Sequence, residues 1–250
     1  MVMTSDIYLS VIVPAYNEEE RIGKTLDLIA EYLQKQGFSS EIIVVSGAST
    51  DNTGNVVREK TKNILNLSLV ELKKSKGKGE AVATGMLYAR GKIRLFTDAD
   101  NSTDISHFDK MRPFFDEGYD VVIGSRHARD AQGAMQAVPQ APYKRFLGQA
   151  GNLFIQLAAV RGIWDTQCGF KAFRDYAAEK IFPLQKIPGW GFDVETLALA
   201  RLLGYRVGII PVYWINDPKS HVRLSTYVRV LWETALVRLN LWLKRYATTV

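Results

Sequence analysis

Asp98 and Asp100 stand one residue apart, directly after the apolar run Ile93–Thr97. Two carboxylates so spaced at a strand end can both reach a hard cation, or one can take a ribose while the other takes the metal. Magnesium or manganese held there would keep open positions for diphosphate oxygens. The competing reading is a capping turn, since Asp100, Ser102 and Thr103 are all capping types. A second set, Pro14-Ala15-Tyr16-Asn17-Glu18, follows the first apolar run. Pro14 stops a strand ladder, Tyr16 can stack on a base, and Glu18 can contact a nucleotide or sit in a helix's first turn, where the dipole favours it. A third, Lys73–Gly79, places Lys76 and Lys78 among glycines before a helix, which suits phosphate oxygens. It lacks the spacing of a Walker loop, and a solvated charge run accounts for it equally well.

The elements that must position these residues follow from periodicity. Tyr8–Pro14, Glu41–Val45, Ser68–Leu72, Ile93–Thr97 and Asp120–Ser125 are short apolar runs that read as buried strands. Between them, Glu19–Gln36, Ser49–Lys62, Gly79–Arg90 and Ile105–Glu117 read as helices, the first with apolar residues at Ile22, Leu26, Ile29 and Leu33. Strand-helix alternation predicts a mainly parallel sheet covered on both faces, with ligands gathering beyond the carboxyl ends of the strands. Pro14–Glu18, Ser46–Asp51, Asp98–Asp100 and Gly124–Arg126 all fall there. The alternation then breaks. Ala128–Tyr143 has no period and reads as a long loop. Lys144–Val160 reads as a helix, Cys168–Phe173 as a strand, Phe192–Leu203 as a helix and Val207–Trp214 as a strand.

Ser225–Tyr246 closes the chain as a long amphipathic helix, with Arg229, Glu233, Asn240 and Lys244 in one narrow polar stripe. Its wide apolar face, with Trp232 and Trp242, fits packing on the domain or lying in a membrane interface beside Arg238, Lys244 and Arg245. Both readings stay open.

The chain has 250 residues, 47% hydrophobic and 23% charged, which suits a soluble globular protein rather than a disordered or fibrous one. A formal charge of +6 favours anionic partners. Nucleic-acid binding has only that charge behind it, so no nucleic-acid partner is expected. The single Cys168 excludes an intramolecular disulfide and points to a reducing compartment. The polar N-terminus does not read as a signal peptide, and no uninterrupted apolar stretch reaches membrane-spanning length, so no transmembrane segment is expected.

Taken in order, Val11–Glu18, the Asp98-Ala-Asp100 strand end, Gly124-Ser-Arg126, Asp165-Thr-Gln-Cys-Gly-Phe-Lys171 and Phe192-Asp-Val-Glu195 resemble the family 2 inverting glycosyltransferases of the GT-A fold. Within that family the pattern is most similar to dolichyl- or polyprenyl-phosphate β-glucosyltransferases, with dolichyl-phosphate mannose synthases next. The resemblance implies an α/β, Rossmann-like, mainly parallel mixed sheet over residues 1–224, with an amphipathic helix over 225–250. It implies a nucleotide pocket lined by Pro14, Tyr16 and Glu18, with Ser46, Asp51, Lys76 and Lys78 also on the donor side. Asp98 and Asp100 would hold ribose or sugar and Mg2+ or Mn2+. Arg126 and Arg145 would face an acceptor phosphate, Gln167 to Lys171 would wall the donor sugar, and Asp193 with Glu195 would form the acidic pair near the anomeric carbon. Arg223, in a loop from Ser220, would clamp the diphosphate. The residues alone also allow Arg126 and Arg145 as surface ion pairs and Asp193 as a helix cap.

One departure bears on the donor. The family carries one or two acids after the second strand, and here the stretch reads Ser46-Gly-Ala-Ser49, although Asp51 matches. A charge-assisted contact to the base is therefore replaced by a hydroxyl. The expected partners are a UDP- or GDP-hexose and a polyprenyl phosphate, met by a cytoplasmic protein peripheral on the inner face of a membrane. A transferase extending a glycan and a non-catalytic nucleotide-sugar-binding relative are the competing functions.

Overall fold

Leu9–Ala15 forms strand β1, and every residue of it is buried. A run without alternation is what a strand covered on both faces needs. The computed structural model describes residues 6–136, 151–215 and 224–246. β1 is followed by helix α1 (Ile22–Gln34), β2 (Ser40–Ser46), α2 (Thr53–Thr61), β3 (Leu67–Glu71), α3 (Lys78–Tyr88) and β4 (Ile93–Thr97). A 3-10 turn, Ile105–His107, leads into α4 (Phe108–Asp116), and β5 (Val121–Ser125) follows. After the short β6 (Met135–Gln136) come a helical segment at 151–158, here α5, then β7 (Phe170–Arg174), α6 (Asp175–Ile181) and α7 (Phe192–Leu202). β8 (Val207–Pro211), β9 (Tyr213–Trp214) and α8 (Leu224–Trp242) complete it.

Seven strands make one sheet in the order β3-β2-β1-β4-β7-β5-β8. All neighbours are parallel except β7, which runs antiparallel between β4 and β5. The sheet is therefore mainly parallel and mixed, as the sequence implies. Alternate residues of each strand serve opposite cores. Ile12, Ile43, Val45 and Phe96 pack under α3, α6, α7 and α8, while Val11, Val13, Ile42 and Leu95 pack under α1, α2 and α4. Among the described residues no helix is long and apolar enough to cross a membrane.

Two expectations shift, one is described only in part, and one helix is unexpected. Val207–Trp214 is not one strand but two: β8 stays paired with β5 as far as Pro211, where Val212 N–H donates to the Ser125 carbonyl at 3.0 Å, and Tyr213–Trp214 then change partner to β6. The loop expected over Ala128–Tyr143 contains β6, which pairs parallel with β9, and residues 137–143 lie outside the described ones. The helix expected over Lys144–Val160 is described only from 151. A helix that the pattern does not announce, α6, follows β7 directly and buries Ala177, Ala178 and Ile181.

Candidate active site

The carboxyl ends of β1, β2 and β4 lie side by side, and the loops after β1 and β2 are laced together. Asn17 N–H donates to Ser49 Oγ at 3.1 Å, Thr50 N–H to Asn17 Oδ1 at 2.9 Å, and Glu18 N–H to Thr53 Oγ1 at 2.8 Å. Asp51 takes Glu19 N–H at 3.1 Å and both Thr53 N–H and Oγ1–H, at 3.0 and 2.5 Å. Burial would raise the Asp51 carboxyl, but these hydrogen bonds, led by the Thr53 hydroxyl, outweigh it and hold it below its usual range. Asn17, Ala48 and Asn101, one in each loop, adopt positive φ of 55°, 58° and 53°. Strained backbone gathers where loops must present groups to a ligand.

Pro14 is buried in β1 and Tyr16 is 57% exposed beyond it. Glu18 receives the Arg21 guanidinium in a fork, Nε to Oε2 at 2.7 Å and Nη2 to Oε1 at 2.8 Å. Its carboxyl is nonetheless pushed up to about 6, chiefly by burial, with Asp100 and Asp98 adding repulsion against the pull of Arg21. Glu18 thus lies within electrostatic reach of Asp98 and Asp100. Ser46 is buried and its Oγ donates to Ser49 Oγ at 3.1 Å. Both line a depression of about 450 Å³ with Ala48, Asp51, Arg58 and Glu71. Arg58 and Glu71 form an ion pair along it.

The Asp98–Asp100 turn is held from below, where Thr25 Oγ1 of α1 donates to the buried Ala99 carbonyl at 2.7 Å. Asp100 Oδ1 accepts Ser102 N–H at 2.9 Å, so the turn reading holds for that oxygen. Asp98 leans on Gly169, where an added Cβ would lie 2.0 Å from Asp98 Oδ2, and only glycine leaves it that room. Its other oxygen receives Lys78 Nζ at 2.5 Å. Of the expected lysines, therefore, Lys78 is brought into the site. Lys76 is exposed, with Nζ 3.8 Å from Glu80. Burial alone would lower the Lys78 ammonium, but Asp98 and Asp193 outweigh it and raise it, so it stays charged at neutral pH.

Asp193, in the first turn of α7, is buried against Lys171 of β7, Nζ to Oδ1 at 2.5 Å, and Lys171 also donates to the Cys168 carbonyl at 2.6 Å. Burial pushes the Asp193 carboxyl up, against the pull of Lys171 and Lys78. Gln167 Nε2 donates to the Trp190 carbonyl at 3.5 Å, and the Trp190 ring lies 5.4 Å from Lys78 Nζ. Trp190 is the member that the sequence reading missed. Its signal was the Gly-Trp-Gly run just before Phe192-Asp193.

Glu195 requires correction. It is not beside Asp193 in the site, because residues two apart on a helix point to nearly opposite sides. Fully buried, it accepts Lys186 N–H at 2.9 Å, Ile187 N–H at 2.8 Å and the Tyr246 hydroxyl at 2.6 Å. Arg126 is in part the ion-pair residue that the alternative reading described. Its Nε and Nη2 fork onto Asp165 at 2.7 and 2.8 Å and its backbone N–H adds a third bond at 2.8 Å. Arg126 holds the Asp165 carboxyl well down against the effect of burial. Nη1 of Arg126 has no hydrogen bond among the described residues. Arg145 and Arg223 lie outside the described residues.

Among the described residues no three His, Cys, Asp or Glu side chains cluster as a metal cage. The donor set fits Mg2+ or Mn2+ all the same. Such an ion binds through one or two carboxylates and completes its shell with water and substrate phosphate. Asp100 keeps one oxygen without a hydrogen bond among the described residues, and the buried Ser102 Oγ, two residues on, has no partner there either.

The model of the family described as Glycosyl transferase family 2 matches residues 10–182. A dolichyl-phosphate beta-glucosyltransferase of Trichomonas vaginalis is 35% identical over 90% of this chain and 69% of its own length. One from Dictyostelium discoideum is 37% identical over 84% of this chain and 67% of its own, and the human one 32% identical over 82% and 67%. In shape, glucosyl-3-phosphoglycerate synthase of Mycobacterium tuberculosis, solved with UDP, superposes with a TM-score of 0.67 at 18% identity, covering 94% of this chain and 79% of that one. Mannosyl-3-phosphoglycerate synthase of Rubrobacter xylanophilus gives 0.69 at 17%, covering 98% and 77%. Motifs, sheet order and relatives converge: the chain belongs to glycosyl transferase family 2 and has the GT-A fold.

Proposed function

We propose that this enzyme moves a hexose, with glucose from UDP-glucose as the first choice, onto the phosphate of a dolichyl or other polyprenyl lipid, with inversion at the anomeric carbon. The observation that carries the acceptor is that relatives 32–37% identical over most of the chain all bear the name dolichyl-phosphate beta-glucosyltransferase. The phosphate oxygen of the acceptor attacks the anomeric carbon as the bond to the nucleoside diphosphate breaks, and the diphosphate leaves with the electron pair. That oxygen is already anionic, so no strong base is needed. Magnesium or manganese at Asp98–Asp100 would supply charge neutralisation to the leaving diphosphate. Lys78 adds a fixed positive charge between Asp98 and Asp193, and Trp190 beside it offers an apolar wall. The depression along Ser46, Ser49 and Asp51 is the place for the base, read by hydroxyls where relatives of this fold use an acid.

A thermal-shift panel of UDP- and GDP-sugars, each with and without manganese, tests the donor. Stabilisation by UDP-glucose with manganese, lost in Asp100→Ala, is the expected result. Equal shifts with every nucleotide, or none, would sink the reading.

A second reading, with an alcohol acceptor on a growing glycan, has Asp193 in its favour, because burial raises that carboxyl toward the range of a general base. Asp193→Asn separates the two. Turnover with lipid phosphate that stays within about tenfold excludes an essential base, whereas a loss of about a thousandfold or more requires one.

A further inference from the structure

α7 opens at Gly191, a residue with no side chain to cap it, and yet its N–H is satisfied. It donates at 2.6 Å to Oε2 of Glu233, which comes from α8. Glu233 is 6% exposed, and its other oxygen accepts Arg229 Nε at 2.8 Å. A carboxylate at the positive end of a helix is favourably placed, and the more so when buried. The loop is shaped around it. A Cβ at Gly189 would lie 2.1 Å from Glu233 Oε1, and one at Gly191 would lie 2.6 Å from Glu233 Cβ. The backbone of Pro188-Gly-Trp-Gly191 therefore lies flat on this one side chain. Between the two glycines stands Trp190, with its ring near Lys78 and its carbonyl on Gln167. Two residues past Gly191 is Asp193, which meets Lys171.

We propose that Glu233 is a positioning residue for glycosyl transfer: from α8 it fixes the Pro188–Gly191 loop, and so the pose of Trp190 and of Asp193, without touching the substrates itself. The proposal rests on Asp98, Asp193 and Trp190 lining the transfer centre. A buried carboxylate is an expensive way to fill space, and an apolar side chain of the same volume would serve stability at least as well. What the carboxylate supplies is direction, since it orients the Gly191 amide and with it the first turn of α7. Misplacing reacting groups by about an ångström costs turnover far more than binding.

The test compares wild type with Glu233→Gln and Glu233→Ala, well below their melting temperatures and per folded molecule. Glutamine keeps the shape and one acceptor oxygen and loses the charge. Amide exchange at Gly191 to Asp193 is expected to speed up about tenfold in the alanine variant, as a local opening rather than global unfolding. With UDP-glucose and a polyprenyl phosphate, kcat is expected to fall about tenfold or more in the alanine variant and less in the glutamine variant, while KM for the nucleotide sugar stays within about twofold. Unchanged exchange, or faster exchange with an unchanged kcat, overturns the proposal. Should the alanine variant fail to fold, the glutamine variant decides by the same two readings. A wild type inactive with these substrates fails the substrate assignment instead, and Glu233 is then judged on exchange, where full protection in both variants overturns it.

Discussion

Ala48 sits at φ 58° in the loop after β2, in backbone that an L side chain enters at a cost of about 1 kcal/mol. Its neighbours explain why it stays there: Ser46 and Ser49 hydroxyls meet across it and Asp51 ties the next turn to the β1 loop. Ala48→Gly relieves the strain and loosens the unfolded chain, with a net gain expected of about 0.5 kcal/mol in denaturant unfolding. No gain would mean that the loop carries no strain. Glu18 gives a second prediction at this scale. Its carboxyl is raised from 4.5 to about 6, mainly by burial. Below pH 4.5 it is protonated in folded and unfolded chains alike, so its contribution to stability is fully present. Between pH 4.5 and 6 the unfolded chain ionises first, and that contribution is lost as pH rises. Comparing Glu18→Gln with wild type at pH 4.5 and 6.5, the drop in unfolding free energy should shrink by about 1 kcal/mol, screening included. An identical drop in both would remove Glu18 as its source.

At the scale of elements, α8 has two different sides. Val230, Glu233, Thr234, Val237 and Asn240 are buried against the domain, while Val228, Trp232, Leu239, Trp242 and Leu243 are exposed at 40–75%. The exposed residues are spaced four, seven, three and one apart, which on a helix of 3.6 residues per turn places them along one side. Sequence left packing and membrane docking open; the structure shows one side of α8 packed on the domain and the other exposed. Large exposed apolar stripes mark surfaces that something covers, and if the acceptor is the lipid phosphate proposed above, the surface this stripe would meet is a membrane. Trp232→Ser with Trp242→Ser is expected to cut sedimentation with anionic vesicles about tenfold while leaving turnover on a short, water-soluble polyprenyl phosphate intact. Equal vesicle binding by the variant would assign this face to another partner. Strands and helices of the first half are legible from pattern because each is a long, regular run flanked by its own stop signals. α6 and the β8–β9 break are not, because a seven-residue helix and a change of partner strand carry little periodic signal.

For the whole molecule, charge and topology set the approach of substrates. A net charge of +6 favours anionic partners, and its long-range part is screened by salt. The vesicle experiment repeated at high salt should therefore weaken binding several-fold, and the Trp232/Trp242 variant should then lose what remains. Salt-insensitive binding would leave the apolar stripe as the sole attraction. Both faces of the sheet are covered, so the carboxyl edge is where strand ends, loops and helix N-termini can converge on a ligand.

The sequence by itself determined the family and the mainly parallel sheet, and it named the candidate site residues: Asp98, Asp100, Lys78, Glu18 and Asp193 all stand in short motifs at predicted strand or helix ends, where local pattern suffices to pick them out. Tertiary structure alone decided which way the side chains turn and what they meet. It separated Asp193 from Glu195, spent most of the Arg126 guanidinium on Asp165, paired Lys78 with Asp98, and brought Glu233 to a loop 42 residues earlier in the chain. The reason is physical. Hydrophobic periodicity records which face of an element is buried, whereas the partner of a buried charge is set by desolvation and by contacts between residues far apart in the chain, which no local spacing encodes.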